Sequence, residues 1–257
     1  MKQQSITDVL MVGATGSIGR FAVQTAQRHG LHPRALVRDV QRAEQLLPGV
    51  ELVQGDLEDP ASLRRALHGA DALVLTHGSG SDARPDARAH IDYGGVRNIL
   101  LAFGDARPRV ALMTSIYATR DDVPGASPWK RRSERLLRTS GLPYTIVRPG
   151  WFDHAGPTQR RLVLDQGVTA DGGIARHQIA ETLVRSLLAD TALGKTFELT
   201  ATEGGEQKDW SVLFGALQAD APDAVDGVRD PANLPVAAEP PALRADLQAA
   251  GSLRKTG

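Results

Sequence analysis

A glycine-rich segment between a short apolar run and an amphipathic stretch is the feature that most restricts the fold of this chain. Residues 13–19 have the sequence Gly-Ala-Thr-Gly-Ser-Ile-Gly, directly after the apolar run at 8–12 and at the start of a helical pattern over 17–29. Glycines at this junction permit a tight turn and a close approach of the backbone to a diphosphate, whose charge the free N–H groups and the helix dipole stabilise. The segment therefore predicts a diphosphate-binding loop between a buried strand and a helix.

Apolar runs continue to alternate with helical periodicity through the first 150 residues. The runs are continuously apolar and rich in β-branched residues, which is typical of parallel strands covered on both faces. Strands are predicted at residues 8–12, 34–37, 50–53, 72–76, 110–114 and 144–147, and helices at 17–29, 43–47, 61–67, 87–103 and 129–140. This alternation predicts an α/β fold built on a doubly wound parallel sheet.

The pattern becomes less regular after Arg148. Residues 150–171 are expected to form a loop with a short hairpin, followed by a helix at 176–189 and a strand at 196–200. We expect this segment to be a small appendage over the strand C-termini, where ligands of open α/β sheets bind. Residues 215–257 hold five of the fifteen prolines and no aromatic residue, so we expect them to wrap the surface or to be partly mobile.

The composition excludes several classes of protein. Apolar residues make up 41% and charged residues 23%, unlike disordered, collagen-like or coiled-coil chains. Thirty basic against thirty acidic side chains give a formal charge of zero, which disfavours a nucleic-acid partner. No apolar stretch is long enough for a membrane span, and the first eight residues lack the apolar centre of a signal peptide. We therefore expect a small-molecule partner and no membrane association.

The absence of cysteine bears on the compartment and on metal binding. With zero cysteines there is no disulfide framework and no thiolate for a metal or for nucleophilic catalysis. A reducing cytoplasm is the expected location, and no metal is expected. Residues 1–257 are interpreted as one domain with a cofactor-binding core at 1–150, a substrate-side segment at 151–214 and a C-terminal extension at 215–257; the oligomeric state stays open.

The end of the second predicted strand bears on which dinucleotide the glycine loop would accept. The sequence there is Leu-Val-Arg-Asp at residues 36–39. Asp39 would accept hydrogen bonds from a free ribose 2′-hydroxyl, which favours NAD. Arg38 would instead pair with a 2′-phosphate, and Arg20 would add a second positive charge. We favour NADP as the cofactor, and NAD stays an alternative.

Several motifs together resemble one protein superfamily. They are residues 13–20, Arg38, Gly55-Asp56, DYGGVRN at 92–98 and YTIVRPG at 144–150. Over residues 6–201 the chain resembles the atypical short-chain dehydrogenase/reductase superfamily with its Rossmann fold, in particular the NAD(P)-binding, NmrA-like branch. Together with the glycine loop, the resemblance implies cofactor contacts at Gly13, Thr15, Gly16, Ser17, Ile18, Gly19 and Arg38, at Asp56 and Leu57 for the adenine, at Thr76, His77 and Gly78 for the nicotinamide ribose, and at Pro149 and Gly150 for the nicotinamide.

Two of the three catalytic residues of that superfamily are matched. Members that transfer hydride use a Ser/Thr after the fifth strand and a Tyr-x-x-x-Lys motif on the next helix; Ser115 matches the serine and Lys130 the lysine, but Ala126 takes the tyrosine position. A reductase must protonate the developing alkoxide, and alanine has no proton to donate. Lys130 would still bind the nicotinamide ribose. Its basic neighbours, most of which we expect on a solvated helix face, are Arg131, Arg132 and Arg135.

Four residues at or just after strand C-termini are candidates for a substitute acid: Tyr117, His77, Asp153 and His154. We rank Tyr117 first, because a neighbouring lysine cation would lower the pKa of its phenol. Trp151 and Phe152 are expected to supply an apolar wall for the substrate.

These features support two functional hypotheses. The first is an NADP(H)-dependent oxidoreductase acting on a small carbonyl or alcohol, in which Ser115 polarises the oxygen, Lys130 fixes the ribose and an atypical donor supplies the proton. The second is a non-catalytic NADP(H)-binding sensor or regulatory protein that signals through residues 215–257. An epimerase or dehydratase ranks last, because those chemistries also use the missing tyrosine. The motifs HExxH, GxSxG and GxxxxGK[ST] are absent.

Overall fold

Strands alternate with helices through the first part of the chain. The computed structural model describes residues 5–80, 82, 84–123 and 127–256. The first elements are β1 (Asp8–Val12), α1 (Gly19–Arg28), β2 (His32–Val37), α2 (Val40–Leu46), β3 (Glu51–Gln54), α3 (Pro60–Leu67), β4 (Ala72–Leu75), α4 (Gly94–Ala102), β5 (Arg109–Met113), α5 (Pro128–Ser140) and β6 (Tyr144–Pro149). A π-helical turn, Arg88–Tyr93, precedes α4, where the periodicity predicts one regular helix.

Shorter elements follow β6. They are β7 (Trp151–Phe152), β8 (Arg161–Asp165), β9 (Gly173–Ile174), α6 (Arg176–Leu188), β10 (Lys195–Thr202), α7 (Trp210–Gly215) and α8 (Pro241–Ser252). Helix α8 is missing from the sequence prediction because only Leu243 and Ala250 of its residues are buried, which leaves a narrow apolar stripe. Within the described part of the chain, no helix is long and apolar enough to cross a bilayer.

The strands form one eight-stranded sheet in the order β3-β2-β1-β4-β5-β6-β10-β8. All neighbouring pairs are parallel except β10 and β8 at one edge. The order reverses between β1 and β4, where Val12 pairs with Leu36 on one side and Leu75 on the other. The predicted doubly wound fold is thus confirmed. Ligands of open α/β sheets bind outside the strand C-termini at such a reversal, which is where a binding crevice is expected.

Two apolar cores lie on opposite faces of the sheet. One contains Val23 of α1 and Leu183 of α6, and these two helices pack together. The other contains Leu63 of α3, Ile99 of α4 and Leu136 of α5, and α8 packs against α4 and α5 on this side. The sheet is therefore covered on both faces, which explains why its strands are continuously apolar.

Most of residues 151–214 belongs to the main layers rather than to an appendage. Strands β10 and β8 extend the sheet beyond β6, and α6 packs on α1. Only the two-stranded sheet of β7 and β9 departs from this arrangement. The expectation of a separate appendage is thus wrong for β8, α6 and β10, because the hydrophobic run of β10 pairs directly with β6.

The basic face of α5 is buried, contrary to the expectation of a solvated face. Arg131 and Arg135 are 2% and 1% exposed, and their guanidinium groups both bind the carboxylate of Asp226. Arg135 also pairs with Glu239 at 3.0 Å. These carboxylates lie about a hundred residues along the chain from α5, so the helical pattern alone carries no sign of them.

Similar ion pairs dock residues 215–256, a segment that the sequence predicts to wrap the surface or to be partly mobile. The carboxylate of Asp220 accepts a hydrogen bond from Arg138 at 3.1 Å, and Asp230 binds Arg148 through both oxygens at 2.7 and 2.8 Å. Burial opposes ionisation of Asp226, but the guanidinium groups of Arg135 and Arg131 outweigh it and hold the pKa of this carboxyl at about 2. The C-terminal segment is therefore fixed to α5 and β6 by charged side chains.

Removing one partner of a buried pair is expected to cost more stability than removing an exposed one. Glu239→Gln leaves the buried guanidinium of Arg135 without one of its carboxylates, so we expect the free energy of unfolding to fall by about 3–5 kcal/mol. Asp223→Asn is the matched control, because its pair with Arg254 is exposed, and it should change this free energy little. Urea denaturation measures both. Equal effects of the two substitutions would contradict this account of the C-terminal segment.

Candidate cofactor and substrate site

The loop between β1 and α1 is compact because two of its glycines have no room for a side chain. A Cβ on Gly13, whose φ is +84°, would lie 2.7 Å from the backbone nitrogen of His77. A Cβ on Gly19 would lie 2.1 Å from the carbonyl oxygen of Gly13. The amide of Gly16 donates to that same oxygen at 2.9 Å. Glycine is therefore required where the loop turns and where helix α1 begins.

The start of α1 has no side-chain cap. Ile18 stands at the N-cap position, and no described side chain accepts a hydrogen bond from the first turn. The side chain of Ile18 packs in the apolar core instead. The amide of Arg20 donates to the carbonyl oxygen of Gly16 at 3.1 Å. The other amides of this turn remain available to an anion, which the helix dipole favours at this end. Of the predicted cofactor residues, Ser17, Ile18 and Gly19 do not line the groove described next.

A groove of about 270 Å³ runs from this loop along the C-terminal ends of β1, β2, β3 and β4. Nine of the predicted cofactor residues line it: Gly13, Thr15, Gly16, Arg38, Asp56, Leu57, Thr76, His77 and Gly78. The hydroxyl of Thr76 donates to the carbonyl oxygen of Val12 at 3.1 Å, which joins the ends of β4 and β1. The carboxylate of Asp56 accepts from the amide of Glu58 at 2.9 Å, so it also shapes the turn that it occupies.

The end of the groove beside β2 carries two arginines. Arg38 is exposed there, and Arg84 approaches from the segment after β4. Arg84 pairs with Asp82 at 3.0 Å and with Glu58 at 3.3 Å. The hydrogen bond from Arg84 and the charge of Arg38 both lower the pKa of Asp82, so the two cations flank one carboxylate. Arg84 cannot be predicted from the sequence, because no feature of its own segment marks it as a neighbour of Arg38.

Asp39, the residue that would favour NAD, is engaged elsewhere. Its carboxylate accepts a hydrogen bond from the amide of Arg42 at 3.0 Å and caps the start of α2. It is not among the residues that line the groove, and neither is Arg20. The charge that faces the groove directly after β2 is therefore the guanidinium of Arg38.

A second cavity, of about 560 Å³, adjoins the groove at Gly78. It lies at the C-terminal ends of β5 and β6 and has more apolar than polar lining. The predicted residues that line it are Ser115, Tyr117, Lys130, Pro149, Gly150, Trp151, Phe152 and His154. Asp153 is not among them; its carboxylate pairs with Arg176 at 2.7 Å. The structure thus brings the catalytic candidates to the end of the groove that is opposite Arg38.

Lys130 lies at the base of this second cavity. Its ammonium group donates to the carbonyl oxygen of Thr114 at 3.4 Å. Burial lowers the pKa of Lys130, while the nearby carboxylates of Asp92 and Glu134 oppose this effect. Asp92 is buried and accepts from the amide and the hydroxyl of Ser79 at 2.7 and 3.1 Å. Asp92 lies in the DYGGVRN motif, but no sequence signal marks Ser79.

Tyr117 does not have the acidic phenol that the sequence analysis expected. Burial raises its pKa, and so does a hydrogen bond to the carboxylate of Asp171. The ring stands edge-on to Trp151, with 6.1 Å between centroids, and the guanidinium of Arg120 lies over it. The expectation failed because the phenol faces a carboxylate rather than Lys130. Tyr117 therefore stays protonated at neutral pH.

His77 is neutral at physiological pH. Burial lowers its pKa to about 4, although the charge of Asp92 acts in the opposite direction. Its Nδ1 atom is buried and has no hydrogen-bond partner among the described residues. The imidazole packs over Gly95 at the start of α4. His77 thus does not carry the extra proton that a general acid would donate.

Ala126, at the position of the superfamily tyrosine, lies outside the described residues. Among the described residues, no cluster of three or more His, Asp or Glu side chains could hold a metal ion.

The sheet order, the glycine loop and the groove define a Rossmann-type dinucleotide-binding protein. Residues 13–190 match the model of a family described as NAD(P)H-binding. The chain belongs to this NAD(P)H-binding family. The resemblance to the short-chain dehydrogenase/reductase superfamily is confirmed at this level, while the NmrA-like branch stays a prediction.

Named relatives include reductases. Sanguinarine reductase from Eschscholzia californica is 27% identical over 260 residues, covering 81% of this chain and 95% of that protein. Quinone oxidoreductase 2 from Escherichia coli strain K12 is 27% identical over 201 residues, covering 74% of this chain and 68% of that protein. The crystal structure of the oxidoreductase ylbE from Lactococcus lactis has a TM-score of 0.64 at 19% identity, covering 77% of this chain and 93% of the other. The relatives support an oxidoreductase-like family.

The glycine at the start of α1 offers a direct test of the loop. Gly19→Ala would force the carbonyl of Gly13 to move, so we expect NAD(P)H affinity to fall at least about tenfold as the amides lose their alignment. Gly205→Ala is the control, because no atom lies within 4 Å of its added Cβ. Titration of nicotinamide fluorescence measures both affinities. Unchanged binding by Gly19→Ala would refute the assignment of the loop.

Proposed function

We propose that this protein is an NADP(H)-dependent reductase of small conjugated carbonyl compounds of the quinone type. The observation that carries the proposal is the junction of the two cavities at Gly78. One cavity has the glycine loop and Arg38, which suit an adenine dinucleotide, and the other has Ser115 and Lys130 against aromatic side chains. A reductase needs this arrangement, because cofactor and substrate must meet at one point.

The groove fits a nicotinamide dinucleotide. The tight approach at Gly13 and Gly19 and the uncapped first turn of α1 suit the diphosphate. Arg38 would hold the 2′-phosphate of NADP, and Lys130 would hold the hydroxyls of the nicotinamide ribose. The bound nicotinamide supplies the hydride. NADP is favoured over NAD, because Asp39 is occupied as the cap of α2.

The remaining chemistry belongs to the residues of the second cavity. The hydroxyl of Ser115 donates a hydrogen bond to the substrate oxygen as negative charge develops on it. The positive charge of Lys130 stabilises the same oxygen through space. Trp151 and Phe152, which are 50% and 36% exposed at the rim, would cover a flat apolar substrate and exclude water from it.

The absent tyrosine points to a substrate that does not need a strong acid. Reduction of an aliphatic ketone yields an alkoxide, whose conjugate acid is about as weak an acid as water. Reduction of a quinone yields a phenolate, whose conjugate acid has a pKa of about 10. The phenolate is stable enough to leave and to take its proton from water. Tyr117, whose phenol keeps its proton, remains the first candidate for a donor inside the cavity.

The name of the relative quinone oxidoreductase 2 supports the same class of substrate. A cytoplasmic setting and a small-molecule partner, without nucleic acid or membrane, belong to this proposal. The sensor alternative invokes a mobile C-terminal segment, and the ion pairs of Arg135 and Arg148 dock that segment. This docking disfavours the sensor as a second function.

Cofactor choice can be tested at Arg38. Arg38→Ala should weaken NADPH binding about 10- to 100-fold, since a charge-assisted contact to the 2′-phosphate is lost, and should change NADH binding less than about threefold. Arg20→Ala is the matched control, because this exposed arginine does not line the groove. Calorimetric titration gives the four affinities. Equal weakening of NADPH and NADH binding would show that Arg38 does not contact the 2′-phosphate.

Turnover can be tested with 2-methyl-1,4-naphthoquinone. We expect saturable NADPH oxidation with this quinone and slower oxidation with an aliphatic ketone, because only the quinone yields a stable phenolate. Ser115→Ala should lower kcat about 100-fold or more through loss of the hydrogen bond to the developing charge. Ser211→Ala, at an exposed position of α7, should leave the rate unchanged. Tight NADPH binding without turnover of any quinone would overturn the proposal.

A further inference from the structure

The segment that carries Ser115 and Tyr117 is held from outside by the C-terminal part of the chain. We call residues 115–123, which follow β5, the substrate loop. We propose that Asn233 is a positioning residue of the substrate cavity, which fixes the substrate loop through a hydrogen bond to the backbone of Thr119. This proposal deepens the proposed reductase function and rests on it for its kinetic part.

Asn233 forms a bridge between α5 and the substrate loop. Its side-chain amide donates to the carbonyl oxygen of Thr119 at 3.0 Å. Its side-chain oxygen accepts from the guanidinium of Arg131. Arg131 is itself fixed by Asp226 at 2.9 Å and by the carbonyl oxygen of Pro231 at 2.8 Å. The donor that reaches the loop is therefore anchored to a buried ion pair.

The side chain of Tyr117 contacts Asp171 and Trp151, but the backbone of the substrate loop has few hydrogen bonds. Its start is bonded through the amide of Ile116 to the carbonyl oxygen of Pro149, and one internal turn joins the amide of Arg120 to the carbonyl oxygen of Tyr117. Tyr117 has a φ of +63°, a conformation that is unfavourable for a residue with a side chain. A strained backbone persists only where its surroundings hold it. The bond from Asn233 is such an external constraint.

The constraint comes from outside the part of the chain that the family shares. The family match ends at residue 190, whereas Asn233 and its anchor Asp226 follow it. The loop, the segment around Asn233 and the turn at Gly167 and Val168 meet around one cleft. The C-terminal segment thus adds a contact to the substrate loop from beyond the region that the family model matches.

Asn233→Asp separates the two roles of this side chain. Aspartate keeps an oxygen acceptor for Arg131, so the C-terminal segment stays docked. It loses the donor and turns a second oxygen towards the carbonyl of Thr119, which releases the loop. We expect the KM for the quinone to rise about two- to tenfold, in line with the loss of one hydrogen bond, while NADPH affinity stays within about twofold of the unsubstituted protein.

Deuterium exchange gives a readout that does not depend on turnover. The amides of residues 116–123 should exchange faster in Asn233→Asp, while those of β1, α1 and α5 keep their rates. The melting temperature should shift by less than about 2 °C. Asp223→Asn is the control, because it removes an exposed ion pair of the same segment without touching the loop, and it should leave exchange and KM unchanged.

The outcomes are distinct. If deuterium exchange of residues 116–123 is unchanged in Asn233→Asp, Asn233 does not hold the substrate loop, whatever the activity. Faster exchange with an unchanged KM overturns the positioning role, and a general loss of stability and of NADPH affinity reduces Asn233 to a structural contact. If the unsubstituted protein turns over no quinone, the reductase proposal fails, and the exchange experiment still decides whether Asn233 holds the loop.

Discussion

The buried guanidinium of Arg148 connects the parts of the chain that surround the substrate cavity. It lies in β6, one residue before Pro149, and its partners are Glu134 of α5, Asp230 of the C-terminal segment and Glu198 of β10. The carboxylate of Glu134 also accepts a hydrogen bond from the hydroxyl of Thr114 at 2.7 Å. Thr114 directly precedes Ser115, which faces the cavity. A buried charge is tolerated only while its partners are in place. The ends of β5 and β6 are therefore held in a fixed relation by one arginine.

One carboxylate partner of Arg148, that of Glu198, also binds backbone amides. Glu198 accepts the amides of Val168, Thr169 and Ala170, in the segment that leads to Asp171 and its contacts with Trp151 and Tyr117. The aromatic wall of the cavity is thus supported through a chain of polar contacts that begins in the sheet. Its shape depends on electrostatics below the cavity as much as on apolar packing within it.

The parts of this molecule that could be predicted from sequence are those determined by neighbours along the chain. The run at 8–12 and the glycines at 13–19 identify β1 and the start of α1, because both follow from local periodicity and local sterics. The contact between Asp226 and Arg131 spans 95 positions, and nothing near either residue indicates the other. Likewise, nothing near Arg84 in the sequence indicates that it lies in the same groove as Arg38. Long-range charge pairing, and the weakly amphipathic helix α8, are what the local pattern does not reveal.

The pairing of α5 with the C-terminal segment also affects how the chain is made. Arg131 and Arg135 leave the ribosome before Asp226 and Glu239 have been synthesised, and 104 residues separate Arg135 from Glu239. Until these acids are synthesised, burial of α5 would leave two guanidinium groups away from water and without a carboxylate partner. The sheet can begin to assemble from its N-terminal half, but its α5 face can be covered only after Asp226 and Glu239 have been synthesised.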